Sequence, residues 1–536
     1  MKKMQREKKK TKKRRVFKAT SIIQATTILM VASIVSRILG YIRDMVIYAS
    51  FGQNRLTDAY YAAFSIPDFL YNILVGGALS SAFIPVFGGY LARGEKKEAL
   101  IVANTIFNLV LILMSIGIIF GLIFTPQLIS LLVPGFEGAA KNLTISLTRI
   151  MFLQALFMAL SGLTSGILNA QKHFLMPALG SVLYNLVTIL IGYLLSLRYG
   201  IAGFSIGVVL GSAVYFAVQI PILFRSEFRY VPLLRLNHEG VQKLIRLFLP
   251  VLIGLSVSQF NLFVNQYLAS GLDAGVVAAL RTAQRLMQLP ISLFAVSLGM
   301  ATFPTMTAQA ATANLAEFKS TFKRSLRLIL FITIPASIGL VVLRVPVVRL
   351  LFEMGAFTAD ATLVTSTVLF YYALGIFGWG CVQLLNRTFY ALENTRIPVF
   401  VGVLVTCINI ILNFSLVQIM GYRGLALAYS LAGILNFLLL TVLLKYYLKG
   451  LDFGNIFSFL TKVLFSSLIM AAGVKLNIGI LGNFLDYGLK VNQLLEVGVA
   501  LITGILIYAF LVFVLRIPEA EFFLKRIRNR RPKRQN

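Results

Sequence analysis

The chain has 536 residues, 58% of them hydrophobic and 13% charged, with a net charge of +31. Its mean hydropathy of +0.84, with about half the charged fraction of an ordinary soluble domain, excludes a soluble enzyme, a disulfide-stapled secreted domain and a disordered scaffold. Apolar runs recur from end to end, each long enough to cross a hydrocarbon layer of about 30 Å. The fold class is therefore all-α integral membrane.

In chain order, a basic tail (1–21) comes first, with eleven Lys and Arg within residues 1–18. Its apolar continuation runs into SRILGYIRD without a small-residue cleavage site, so no cleavable signal peptide is expected. Length and Gly, Pro and charge punctuation then predict fourteen spans. They fall at 22–51, 57–88, 99–124, 143–168, 174–197, 201–224, 247–269, 275–306, 325–346, 362–386, 397–418, 422–444, 457–474 and 492–515. A second basic tail (517–536) closes the chain, with seven Lys and Arg within residues 519–536. An even number of spans puts both tails on one side, which the positive-inside rule makes cytoplasmic. Loops assigned to that side are rich in cations, among them Lys96, Lys172 and Arg225. The tails lack the interleaved aromatics of a nucleic-acid surface, so anionic membrane lipids are the expected partner and nucleic acid is not.

An internal repeat divides the first twelve spans. Pro177 and Pro398, Gly200 and Gly421, Gly203 and Gly424, and Ala170 and Ala391 are all separated by one and the same offset along the chain. Ile84-Pro85 and Phe303-Pro304 match at a slightly shorter one. Six spans return the chain to the same side, so the halves are expected to be parallel lobes that rock about a central site. This predicts an N-lobe (22–224), a cytoplasmic linker (225–246), a C-lobe (247–449) and an added pair of spans (450–516). Cys381 and Cys407 lie within spans, while His173 and His238 lie in cytoplasmic loops. No metal spacing, phosphate loop or catalytic triad is visible. No cofactor, metal or catalytic residue is expected, and a carrier is expected in place of an enzyme.

The informative residues are the charges inside apolar segments. Span one contains Arg37, Arg43 and Asp44, span two Asp58 and Asp68, and span eight Arg281 and Arg285. Each costs about 2.5–3.5 kcal/mol at a helix centre and is expected to face a partner or a cavity. Arg37 and Arg43 lie about 9 Å apart along a helix and about 120° apart around it. Arg281 and Arg285, one turn apart, share a face. Because the two sets come from different halves of the repeat, both lobes are expected to present guanidiniums to the cleft. Guanidiniums suit phosphate oxygens. The structural alternative is that Asp44 and Asp58 serve as ion-pair partners or caps. Pro67, Gly76 and Gly77 read as kink points of span two and candidate hinges. Asn185, Gln259, Asn261, Asn265 and Asn386 are candidates for bonds between helices.

The blocks SRILGYIRD, TDAYYAAFSIP, GGALSSAFIPVF, GILNAQKHFLMPAL, GLSVSQFNLFVNQYLAS, RTAQRLMQLPISLFAVSLG and FEMGAFTADAT together resemble the MurJ/MviN family of lipid II flippases, in order along nearly the whole chain. That family belongs to the multidrug/oligosaccharidyl-lipid/polysaccharide exporter group. The resemblance implies fourteen helices, two six-helix lobes around a cationic cavity, and a lipid-tail groove formed by spans thirteen and fourteen. It implies export of an undecaprenyl-diphosphate-linked peptidoglycan precursor to the outer leaflet of the bacterial cytoplasmic membrane by alternating access. It assigns Arg37, Arg43 and Arg285 to the diphosphate, with Asp44 and Asp58 as the family's acids. Where many members carry an arginine in span two, this chain has Tyr71, and Gly76 stands where some have a glutamate; Arg281 is the candidate replacement cation. A monomer acting with the cell-wall synthesis machinery is expected. The alternatives are an exporter of another polyprenyl-linked saccharide and a drug/ion antiporter.

Overall fold

The computed structural model describes residues 22–76, 82–226, 228–451 and 454–519. Among the described residues the regular elements are helices. In order they are α1 (Ile22–Phe51), α2 (Arg55–Ala63), α3 (Ser65–Tyr71), a π-helical turn (Asn72–Gly76), α4 (Ile84–Ala92), α5 (Lys96–Leu132), α6 (Gly138–Ala170), α7 (Leu175–Tyr199), α8 (Ala202–Arg225) and α9 (Glu239–Ser270). Then follow α10 (Val276–Pro290), a second π-helical turn (Ile291–Val296), α11 (Ser297–Ala311), α12 (Leu315–Phe352), α13 (Ala359–Ala373), α14 (Ile376–Ala391), α15 (Arg396–Met420), α16 (Tyr422–Leu448), α17 (Gly454–Gly482) and α18 (Lys490–Val514). Ten helices among the described residues are long and apolar enough to cross a membrane, or eleven if α13 and α14, bent by 46°, count as one. The described residues of each predicted segment fall in helices or broken helices.

Two of those segments are less regular than their hydropathy implies. Span two is interrupted at Phe64 and again by the π turn, and span ten is bent between Ala373 and Ile376. Hydropathy averages over a window and is blind to such breaks, because a π or bent turn costs no apolarity.

The repeat is visible in the backbone. α7 and α15 begin and end at the same offset that relates Pro177 to Pro398. The residues after them, Gly200 and Gly421, share φ 57°, and the turns before them place Lys172 (φ 65°) and Glu393 (φ 56°) in the same left-handed conformation. The two π turns begin at the shorter offset that relates Pro85 to Pro304. Gly94 (φ 79°) and Ala313 (φ 54°), just beyond α4 and α11, follow that shorter offset too.

The chain divides into two compact units. Of the described residues, the first comprises those up to Ile47, 59–131 and 137–259. Its core centres on Phe83, Phe87, Ile106, Ala155 and Leu163, with the Phe83 and Phe87 rings stacked at 5.2 Å. α7 and α8 pack backbone to backbone through Gly203, Gly207 and Gly211, one helical turn apart. A Cβ at Gly207 would lie 2.6 Å from the Cα of Gly192, and one at Gly211 2.6 Å from the Tyr184 carbonyl oxygen. Small residues at this spacing let helices meet where no hydrophobic effect drives them together. Residues 229–238 are laced onto α5. Asn104 Nδ2 donates to the Arg229 carbonyl (2.9 Å) and its Oδ1 accepts from Val231 N (2.7 Å). Asn108 Nδ2 donates to the Val231 and Leu233 carbonyls, both at 3.0 Å.

The second unit comprises 48–58, 132–136 and the described residues from Phe260 onward. Trp379 of α14 stacks on Tyr429 of α16 at 4.9 Å and donates its indole N–H to the Tyr429 carbonyl. The end of α1 and the turn after it also belong here. Ala356 N donates to the Ala49 carbonyl (2.8 Å), Thr365 Oγ1 donates to Gln53 Oε1 (2.6 Å), and Arg55 Nη2 donates to the Leu272 carbonyl (2.7 Å). Gly52, at φ +72°, permits this turn, since its Cβ would collide with the Ala356 carbonyl.

Candidate functional site

α1 carries the first arginine pair. Arg37 is exposed, whereas Arg43 and Asp44 are buried. Arg43 donates through Nε (3.1 Å) and Nη2 (3.0 Å) to Asp44 Oδ1. Burying that guanidinium without a partner would cost several kcal/mol, so Asp44 is its local counter-ion. Earlier on the same helix, α1 is fixed to α7. Asn185 Nδ2 donates to the Ser36 carbonyl (3.2 Å) and Oγ (3.1 Å), and Ser36 Oγ donates to the Ser181 carbonyl (3.1 Å).

The second pair, Arg281 and Arg285, is on α10, both half-buried. Asp58 does not stand beside them as a free carboxylate. It is fully buried, with Oδ2 accepting from Gly275 N (2.7 Å) and Oδ1 from Ala278 N (2.9 Å). It therefore caps α10 from outside the helix, satisfying donors that every helix N-terminus leaves over. Its negative charge also suits the positive end of the helix dipole. Arg55 Nη1 lies 3.8 Å from Oδ2. Tyr48 Oη lies 3.1 Å from the Ala278 carbonyl and 2.6 Å from Thr282 Oγ1. Thus the segment 48–58 holds the first turns of the helix that presents Arg281 and Arg285.

Of the three predicted hinge residues, Pro67 is buried in the first turn of α3, just after the break at Phe64, and Gly76 ends the first π turn. Gly77 lies outside the described residues. Tyr71 packs against the core of the first unit.

In the second unit a cavity of about 870 Å³ opens among α10, α12, α17 and α18, lined by apolar residues that include Phe331, Gly339, Met470, Val474 and Gly504. Spans thirteen and fourteen supply one wall, and α12 and the end of α10 supply the other. At one end of α18, Arg349 Nη1 approaches the buried Glu496 Oε2 (3.7 Å), and Lys490 Nζ donates to the Arg349 carbonyl (3.0 Å).

Tyr48, Asn104 and Asn108 escaped the sequence reading. Tyr48 sits in an apolar run and reads as core. Asn104 and Asn108 are one turn apart near the start of a span, a spacing that could have marked a shared face.

The comparisons with known proteins agree with one another. The family model described as "Lipid II flippase MurJ" matches residues 47–494. A protein named probable lipid II flippase MurJ from Vibrio cholerae is 29% identical over 520 residues, covering 93% of this chain and 97% of that one. One of the same name from Buchnera aphidicola of Acyrthosiphon pisum is 28% identical over 498 residues, covering 92% and 97%. A solved structure described as lipid II flippase MurJ in an inward closed conformation matches with TM-score 0.76 and 29% identity, covering 91% of this chain and 98% of that one. An inward-facing MATE-family multidrug transporter of the MOP superfamily matches with TM-score 0.64 at 17% identity, a likeness of fold.

Proposed function

We propose how this chain, which belongs to the MurJ family of lipid II flippases, carries its substrate. It flips lipid II, as the family match, the named relatives and the solved structure together indicate. The head group is exposed first to one face of the membrane and then to the other by alternating access. Arg37, Arg43, Arg281 and Arg285 hold the diphosphate, because guanidiniums match its oxygens and offset its charge where desolvation is most costly. Asp44 and Asp58 act through these arginines, one as counter-ion and one as helix cap. Arg281 supplies the cation that Tyr71 does not.

The polyprenyl tail lies in the apolar cavity of the second unit, whose volume and lining suit a hydrocarbon chain. Fourteen helices span the bacterial cytoplasmic membrane, with both termini cytoplasmic and the basic tails against anionic lipid. They form lobes at 22–224 and 247–449, joined by 225–246 and followed by the tail-binding pair at 450–516. The break at Phe64, just before Pro67, and the π turn that ends at Gly76 let span two bend as access changes. The chain works as a monomer beside the cell-wall synthesis machinery.

The observation that carries this reading is the pair of arginines on α10, together with the helix cap that fixes it. The test is depletion of the protein followed by leaflet-resolved labelling of lipid II. Accumulation in the inner leaflet is expected; an unchanged distribution in a strain without another flippase overturns it.

A further inference from the structure

At the end of the first unit where α4 leads into α5, a cavity of about 570 Å³ is lined by Lys96, Lys172, His173 and Arg225 on its polar side and by Leu91 and Ala92 on its apolar side. The three cations, Lys96, Lys172 and Arg225, come from three separate places: the start of α5, the turn after α6 and the end of α8. No carboxylate is among the described residues that line it. Glu227, two positions past Arg225, lies outside the described residues, and counting it still leaves the group two charges positive. The nearby Arg93 is engaged elsewhere: Nε and Nη2 donate to the Glu95 oxygens at 3.0 and 2.9 Å. That bond holds the Glu95 carboxyl below its usual range.

The internal repeat provides a control. The turn at Lys172 recurs at Glu393 with the same left-handed backbone. At the same offset, His173 corresponds to Asn394 and Arg225 to Tyr446, while Lys96 corresponds to Leu315 at the offset of the two π turns. The second half therefore builds the same turn with Glu393 and Asn394 in place of Lys172 and His173, and the fold of the turn does not require a cation there. The apolar flank matters too. Phe224, which precedes Arg225 in the chain, and Leu175, two residues after His173, are 73% and 39% exposed and present large apolar side chains outward. A soluble anion gains nothing from such neighbours, whereas acyl chains do.

We propose that this cavity binds the phosphodiester headgroup of an anionic phospholipid, with the cations on the phosphate and the acyl chains against Phe224 and Leu175. Basic pockets between membrane helices suit such headgroups. The site shares no residue with the arginines assigned to the diphosphate and does not depend on which lipid the chain flips.

The experiment uses the full chain in nanodiscs, with spin-labelled phosphatidylglycerol or phosphatidylcholine as the probe and the immobilised fraction as the readout. Wild type is expected to retain phosphatidylglycerol above phosphatidylcholine. Lys172→Glu, which installs the residue the second half already tolerates there, and Arg225→Gln are each expected to weaken that preference about fivefold, near the worth of one basic residue at a lipid surface. Arg93→Gln is expected to leave it unchanged. Equal retention by wild type and Lys172→Glu, with both proteins showing the same thermal transition, overturns the assignment. Release of the lipid by excess inorganic phosphate points to a free anion and overturns the lipid source.

Discussion

Asp58 holds Ala278 by the backbone: its Oδ1 accepts from the Ala278 N–H at 2.9 Å while its other oxygen takes Gly275. The carboxylate is therefore committed to a helix end, and its effect on transport passes through the placement of Arg281 and Arg285. Asp58→Ala is expected to destabilise the protein by about 1–2 kcal/mol and to lower lipid II transport. Asp58→Asn, which keeps one acceptor, is expected to retain part of both. A thermal-shift assay beside complementation of a depleted strain reads this. Asp58→Ala transporting normally would remove the positioning role.

Arg43 and Asp44 form a buried pair, so a single alanine substitution confounds substrate binding with folding. Arg43→Ala strands a buried carboxylate at a cost of about 3–5 kcal/mol. The double variant Arg43→Ala/Asp44→Ala is expected to recover most of that stability yet remain defective in lipid II transport. Recovery of transport along with stability would mean that Arg43 serves only the fold.

On α10 the two arginines share a face, and substitution of either by Ala is expected to abolish complementation at normal protein levels. Arg281→Lys, which keeps charge but loses the planar fork, is expected to be intermediate. If Arg281→Ala complements like wild type while Arg285→Ala fails, Arg281 does not replace the cation missing at Tyr71.

Gly339 lines the apolar cavity, and a Cβ there would sit 3.7 Å from Met470 Cε, an ordinary contact. Gly339→Leu should therefore leave the helix intact and push bulk into the cavity. The expected result is several-fold weaker binding of full-length lipid II, with little change for an analogue bearing a short prenyl chain. Equal losses for both ligands would remove the tail from this cavity.

The strap at 229–238 is held by Asn104 and Asn108, with Thr105 and Glu98 bonding Arg235 N and His238 further along it. Asn104→Ala removes the donor to Arg229 and the acceptor for Val231, at about 1 kcal/mol for each bond lost. Hydrogen exchange at Val231 is expected to accelerate while the amides of α7 and α8 keep their protection. Unchanged exchange at Val231 would show the strap to be held by other contacts.

Much of the scaffold was legible in the sequence because membrane helices are written in composition. Hydropathy marked the apolar helices, of which ten or eleven among the described residues are long and apolar enough to cross a membrane, and Pro177, Gly200 and Gly203 with their counterparts marked a repeat that the backbone shows at Lys172 and Glu393. The interruptions of span two were not legible, since a π turn leaves hydropathy unchanged. For Asp58 a cap was among the sequence readings, but the helix it caps was hidden. A carboxylate in an apolar run signals an unusual partner, but that partner is a backbone amide far along the chain, at Gly275, and no local pattern encodes it. Asp44 beside Arg43 was readable because the partners are adjacent in sequence.

The paired π turns carry a historical consequence. Each π turn is one extra residue wedged into a helix, and such an insertion shifts every side chain beyond it by about 100°. Two helices that acquired the wedge separately would have no reason to place it at matching positions of the two halves, opening at Asn72 in one and at Ile291 in the other. The insertion is most economically dated before the duplication, in an ancestor with a single half. Since that ancestor, the turns themselves have drifted to NILVG and ISLFAV, while the irregularity has outlasted the residues that first produced it.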